Sequence, residues 1–139
     1  MISDPDGAGL SAVLFRSERT FKVWRYGVGH SQLLLRAVPD DTETTCLDLL
    51  FEGVRAMQLA THYQSLELHP ASEAEAQRIL EFSGLAPIWR ERNLALSLRS
   101  RSTSGFVLCA RATALHGGED PFGNHGGFEE RDVVWSARR

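Results

Sequence analysis

His116, Asp120 and His125 fall in one short glycine-rich segment, HGGEDPFGNHGG (residues 116–127), and together offer two imidazoles and a carboxylate. That donor set is the one used by non-haem iron and by some zinc sites, with Glu119 and Glu129 as spare oxygens. Two features weigh against a metal centre. The four-residue step from His116 to Asp120 suits a helix, whereas Gly117 and Gly118 disfavour one. A site on an unstructured loop would also have to order that loop when the metal bound, at a cost in entropy. The plain expectation for residues 116–127 is a mobile surface loop; His116, Asp120 and His125 are the metal candidates, and no cofactor motif accompanies them.

A second histidine, His30, sits at the centre of FKVWRYGVGHSQLLLR (residues 21–36). A general base needs an orienting carboxylate and a reacting partner, and the local sequence supplies neither. A turn needs only tolerance of unusual backbone angles, so His30 reads as the tip of a turn between two strands.

A third group is basic. Arg90, Arg92, Arg99, Arg101 and Arg111 share a stretch in which Glu91 is the only acid. Arg99 and Arg101 flank a hairpin tip and could meet phosphates or an acidic protein. Nucleic-acid binding also calls for stacking aromatics on the same face, and only Trp89 and Phe106 are near. A net charge of −3 lacks the basic footprint of such proteins, so nucleic acid is the weaker reading. Interaction residues are expected at Arg99, Arg101, Trp24 and Tyr26. No dinucleotide fingerprint, phosphate loop, HExxH or GxSxG motif occurs, and no catalytic residue is assigned.

The elements that would position these residues are legible from periodicity. Alternation from Phe21, a Gly-bearing break at GVGHSQ, and resumption at LLLRAV give a β-hairpin. The leucine triplet cannot alternate, so its strand should be covered on both faces. Leu47, Leu49 and Phe51 line one face of the next strand, with Asp48 and Glu52 on the other as an ordinary solvated face. Gly53 should mark a bulge or a strand end. SLELHP is a short strand stopped by Pro70. SEAEAQRILEFSG carries Ser72 as N-cap, Glu75 at N3 and Gly84 at C′, which predicts an amphipathic helix with Ala76, Ile79 and Leu80 inward. Leu94, Leu96 and Leu98 begin a second hairpin. FVLCARATAL returns with Phe106, Leu108, Ala110, Ala112 and Ala114 on one face, and DVVW closes the chain as a short strand or docked tail.

Composition sets the bounds. The chain has 139 residues, 42% hydrophobic and 24% charged, which fits one folded domain over 1–139 with a loose arm at residues 1–10. Lys22 is the sole lysine beside fourteen arginines. Cys46 and Cys109 stand apart from any paired-cysteine motif and suggest buried thiols in a reducing, cytoplasmic setting. MISDPDGAGL has no basic n-region and no apolar run is long enough to span a bilayer, so neither a secretory signal nor membrane association is expected.

The pattern F-x-V-W-x-Y, then a His-containing turn, L-L-L-R, and L-F-x-G-V, over about residues 21–70, resembles a group of small bacterial proteins built on a domain of unknown function. The resemblance implies a hairpin followed by further strands and brings no catalytic residue with it. In size and fold class the chain is also similar to small immunity proteins, which bind and block a toxin domain.

The expectation is thus an α+β fold: a mainly antiparallel sheet of about six to eight strands with one helix packed on it, as an open curved sheet or a sandwich. For function, three classes stand: a non-enzymatic protein-binding module (an immunity-type inhibitor or a homodimer), a small metal-dependent or acid/base enzyme on the loop histidines, and a nucleic-acid binder using the arginine hairpin.

Overall fold

A 13-residue strand, β1 (Phe15–Gly27), leads the computed structural model, which describes residues 13–123 and 132–139. The expected N-terminal arm at 1–10 lies outside the described residues. A 3-10 turn over Val28–His30 ends with Ser31 in the left-handed region (φ 49°) and delivers the chain to β2 (Gln32–Ala37), antiparallel to β1. His30 is therefore in a turn, as its neighbours imply. β1 is bent twice. A register shift at Trp24 against β2 breaks the alternation expected beyond Phe21, and a second shift between Ser17 and Thr20 lies opposite Ser65 (φ 61°).

The remaining strands are β3 (Leu47–Glu52), β4 (Ala56–Gln58), β5 (His62–Pro70), β6 (Leu94–Arg99), β7 (Ser104–Cys109), β8 (Arg111–His116) and β9 (Val133–Arg138). All nine form one antiparallel sheet in the order β4-β7-β6-β5-β1-β2-β3-β8-β9. The fold is α+β with one α-helix among the described residues, and the strand number exceeds expectation because two long strands are each broken once. β3 and β4 are parted at Gly53 (φ 65°), and β7 and β8 at Ala110 alone. β3 pairs with β8 and β4 pairs with β7, so the two creased strands run along each other for their whole length. The path β7, β6, β5, β1, β2, β3, β8 then returns to β7 through Ala110. The sheet is rolled into a closed wall, neither open nor a two-sheet sandwich.

Rolling gives the wall an inside. Phe21, Leu33, Leu35, Leu49, Phe51, Tyr63, Leu66, Leu68, Leu96, Leu98, Val107, Cys109, Ala112 and Ala114 form one buried cluster there. The FVLCARATAL stretch corrects the expected face: Val107 and Cys109 point inward, Leu108 outward, and the phase reverses at the Ala110 crease so that Ala112 and Ala114 point inward again. Tyr63 is fully buried. Its hydroxyl accepts from the Ala60 N–H at 2.9 Å and donates to the Ser104 carbonyl at 3.3 Å. Gly105 must lack a side chain, since a Cβ there would run into that hydroxyl and the Gln58 carbonyl.

The outside is covered in two places. Helix α1 (Glu73–Ser83) carries the expected capping box, Ser72 with Glu75, and ends at Gly84 (φ 74°). Its Ala76, Ile79 and Leu80 pack on Ala95 and Leu108 from the outer face of β6 and β7. The second cover is the segment after β8, which lies over the Arg36–Asp48 pair; Leu33, Leu34 and Leu35 are all buried, so the leucine strand is covered on both faces as expected.

Candidate functional site

Of the three metal candidates, His116 ends β8 with an exposed side chain, and its N–H donates to the Asp132 carbonyl at 3.0 Å. Asp120 is exposed, and its Oδ1 accepts from the Phe122 N–H at 2.9 Å, a local turn. His125 lies outside the described residues. Among the described residues no three His, Cys, Asp or Glu side chains converge as a metal site. The described part of the loop, residues 117–123, is tied down: the Cys46 N–H donates to the Gly118 carbonyl and the Gly117 N–H to the Cys46 carbonyl.

The same segment closes over a buried ion pair. Asp48, expected on a solvated face, is fully buried beside Arg36, its direct cross-strand partner. Arg36 Nε donates to Asp48 Oδ1 at 2.7 Å and Nη2 to Oδ2 at 2.9 Å, a bidentate fork. Its third nitrogen, Nη1, donates to the carbonyls of Pro121 (2.8 Å) and Gly123 (3.2 Å). The Asp48 carboxylate raises the Arg36 pKa further above its already high value. Trp24, expected at an interaction surface, is half-buried: Arg36 lies 5.6 Å from its ring centroid, and it stacks on Phe122 at 5.6 Å. The pair is a clasp holding the loop to the sheet. All three nitrogens of the fork donate hydrogen bonds, two to Asp48 and one to the loop.

The arginine run does not gather on one face. Arg99 lies 3.7 Å from Glu75 on α1, and Arg111 lies 3.7 Å from Glu52. Arg90 Nη1 reaches the Asn93 carbonyl at 3.4 Å, and Arg101 is exposed at the β6–β7 tip. Tyr26 is exposed on the far half of β1.

A site that local sequence gave no reason to expect forms where the β1–β2 turn approaches the crease. The Val54 N–H donates to the Ser31 carbonyl at 3.0 Å and ties the turn to residues 53–55. Beside it runs a 3-10 segment, Pro87–Arg92, set by Pro87 at its first turn. Between them lies an open cleft of about 440 Å³, lined by Gly29, His30, Gly53, Arg55, Trp89, Arg92 and Ala110 among others. The Arg55 and Arg92 guanidiniums both stand over the Trp89 ring, 4.8 and 5.4 Å from its centroid. Buried Asn93 fixes this wall, its Nδ2 donating to the Trp89 carbonyl at 2.9 Å. Among the described residues no carboxylate lines the cleft. A second hollow, about 350 Å³ along α1, contains both Glu75 and Arg78 and so balances its own charge.

No protein-family model, curated protein or solved structure matches the chain. Arg92 and Trp89 are visible in the arginine-rich run of the sequence. Arg55 is not, because it reaches them only through the crease at Gly53. No helix among the described residues is long and apolar enough to cross a membrane.

Proposed function

We propose that the chain is a non-enzymatic binding protein that docks an acidic surface of another protein on its β1–β2 hairpin. The observation that carries this reading is the far half of that hairpin. Val23, Tyr26 and Val28 are 36%, 38% and 82% exposed, and exposed Lys22, Arg25 and His30 alternate with them. Neither Lys22 nor Arg25 has an ion-pair partner among the described residues. Apolar and aromatic anchors ringed by uncompensated cations suit a partner that brings carboxylates. A second copy of the chain would bring the same positive hairpin, so a different protein is favoured over a homodimer. The buried, unbridged thiols of Cys46 and Cys109 support a reducing, cytoplasmic setting.

The test combines solution mass with capture. Sedimentation should give a monomer across concentrations. Immobilised wild-type protein should retain an acidic protein from nuclease-treated lysate of the source cells, and Tyr26→Ala with Val28→Asp should weaken that interaction at least about tenfold, or about 1.4 kcal/mol. Equal retention by the double variant, or a captured species that disappears on nuclease treatment, overturns the reading.

A further inference from the structure

We propose that the cleft between the β1–β2 turn and the Pro87–Arg92 segment binds the phosphate group of a small phosphorylated molecule. This goes beyond the hairpin reading and rests on different side chains, principally Arg55 and Arg92.

Charge is the first argument. Arg16, Arg36, Arg99 and Arg111 each lie within ion-pair distance of a carboxylate, whereas Arg55 and Arg92 have none among the described residues. Both are nonetheless gathered over one indole. Two guanidiniums around the same ring repel each other, and among the described residues no carboxylate lines the cleft to offset that repulsion. Among the described residues, Glu52 lies 3.4 Å from Gln32 Nε2 and 3.7 Å from Arg111, and Glu91 is exposed and outside the lining. A phosphate monoester carries close to two negative charges at neutral pH, which matches the two uncompensated cations.

Geometry is the second. Stacking on Trp89 orders both guanidinium forks before any ligand arrives, which lowers the entropy lost on binding. Planar forks suit phosphate oxygens, which accept from two N–H groups of one guanidinium at once. Small residues, Gly29, Gly53 and Ala110, are part of the lining, and a Cβ at Gly29 would meet nothing within 4 Å, so a ligand can approach the backbone there. At about 440 Å³ the cleft has the volume of a small-molecule site and far exceeds what a lone carboxylate fills. A sugar phosphate is of the right size.

The experiment is calorimetric titration of the full chain with ribose 5-phosphate, inorganic phosphate and ribose, alongside NMR observation of the Trp89 indole N–H, assigned with Trp89→Phe. Both phosphate compounds should bind and move the Trp89 signal, while ribose should do neither. Arg55→Gln and Arg92→Gln should each weaken binding at least tenfold. Arg101→Gln, and the hairpin pair Tyr26→Ala with Val28→Asp, should leave it unchanged. Thermal melting confirms that each variant is folded; Arg55→Lys and Arg92→Lys, which keep the charge and lose the fork, should give intermediate affinity. Absence of binding up to about 10 mM phosphate compound, a range reaching well past weak millimolar affinity, overturns the proposal. Undiminished binding by the double Arg→Gln variant does so too, as does binding of a 5′-phosphorylated oligonucleotide without binding of ribose 5-phosphate. Loss of phosphate binding with partner capture intact would separate this site from the hairpin.

Discussion

Gly53 and Ala110 face each other across the crease that closes the sheet: a Cβ on Gly53 would stand 3.0 Å from the Ala110 Cβ. Gly53 also holds a φ of 65°, a region costly for residues with a Cβ. Gly84, at the end of α1, has a similar φ of 74° with nothing within 4 Å of a Cβ. The pair separates backbone strain from crowding. Gly84→Ala should cost about 1 kcal/mol and Gly53→Ala about 2–3 kcal/mol in urea unfolding. Adding Ala110→Gly to Gly53→Ala should recover about 1 kcal/mol as a favourable coupling, and strictly additive losses would show that the contact does not matter.

Asp48 leaves a buried cation behind when it is removed. Asp48→Ala should destabilise the fold by about 3–5 kcal/mol, because Arg36 would remain desolvated without its carboxylate. Arg36→Met with Asp48→Leu removes both charges and should recover most of that loss. The double variant should still release residues 117–123, since Arg36 Nη1 no longer holds the Pro121 and Gly123 carbonyls. Faster amide exchange at Cys46 and Gly117, with global stability restored, is the expected readout.

Glu67 makes stability depend on acid. The hydrogen bond from His69 Nε2 at 2.8 Å, and then that from Arg16 Nε at 2.9 Å, hold its carboxyl below the usual carboxylate range. A depressed folded-state value stabilises the protein above the unfolded-state pKa, and that contribution is lost as pH falls through the folded value. Wild type should therefore lose more stability than Glu67→Gln between about pH 6 and about pH 3, measured by urea unfolding. Parallel curves for the two would remove the assignment.

Cys109 should be inert in the native protein. Burial inside the rolled sheet pushes its thiol up to about 12, so almost no thiolate exists at neutral pH. Labelling with a thiol reagent should proceed at the rate of unfolding and accelerate in urea. Cys46, also fully buried, should behave the same way.

Local rules carried the helix and the hairpins. Ser72, Glu75 and Gly84 specify α1 by chemistry that acts within a few residues, and the two hairpins follow from period-two burial with turn residues between. Closure of the sheet was not legible, because it depends on Gly53 and Ala110 meeting across a ladder that no local pattern encodes. Asp48 was misread for the same reason. A carboxylate at an alternate strand position has the signature of a solvated face whether or not an arginine and a loop later cover it. The cleft shares that origin, since Arg55 and Arg92 become neighbours of one indole only after the strands have rolled.

Because β7 passes into β8 through a single residue, the wall is seamed there by covalent backbone as well as by hydrogen bonds. Such a closure cannot be peeled apart from a free margin. Residues 104–116 must meet β6 and β4 with their first half and β3 and β9 with their second, which couples the two halves of the molecule into one cooperative step. Breaking the peptide at Ala110 would leave that seam to be held by the β3–β8 and β4–β7 ladders alone.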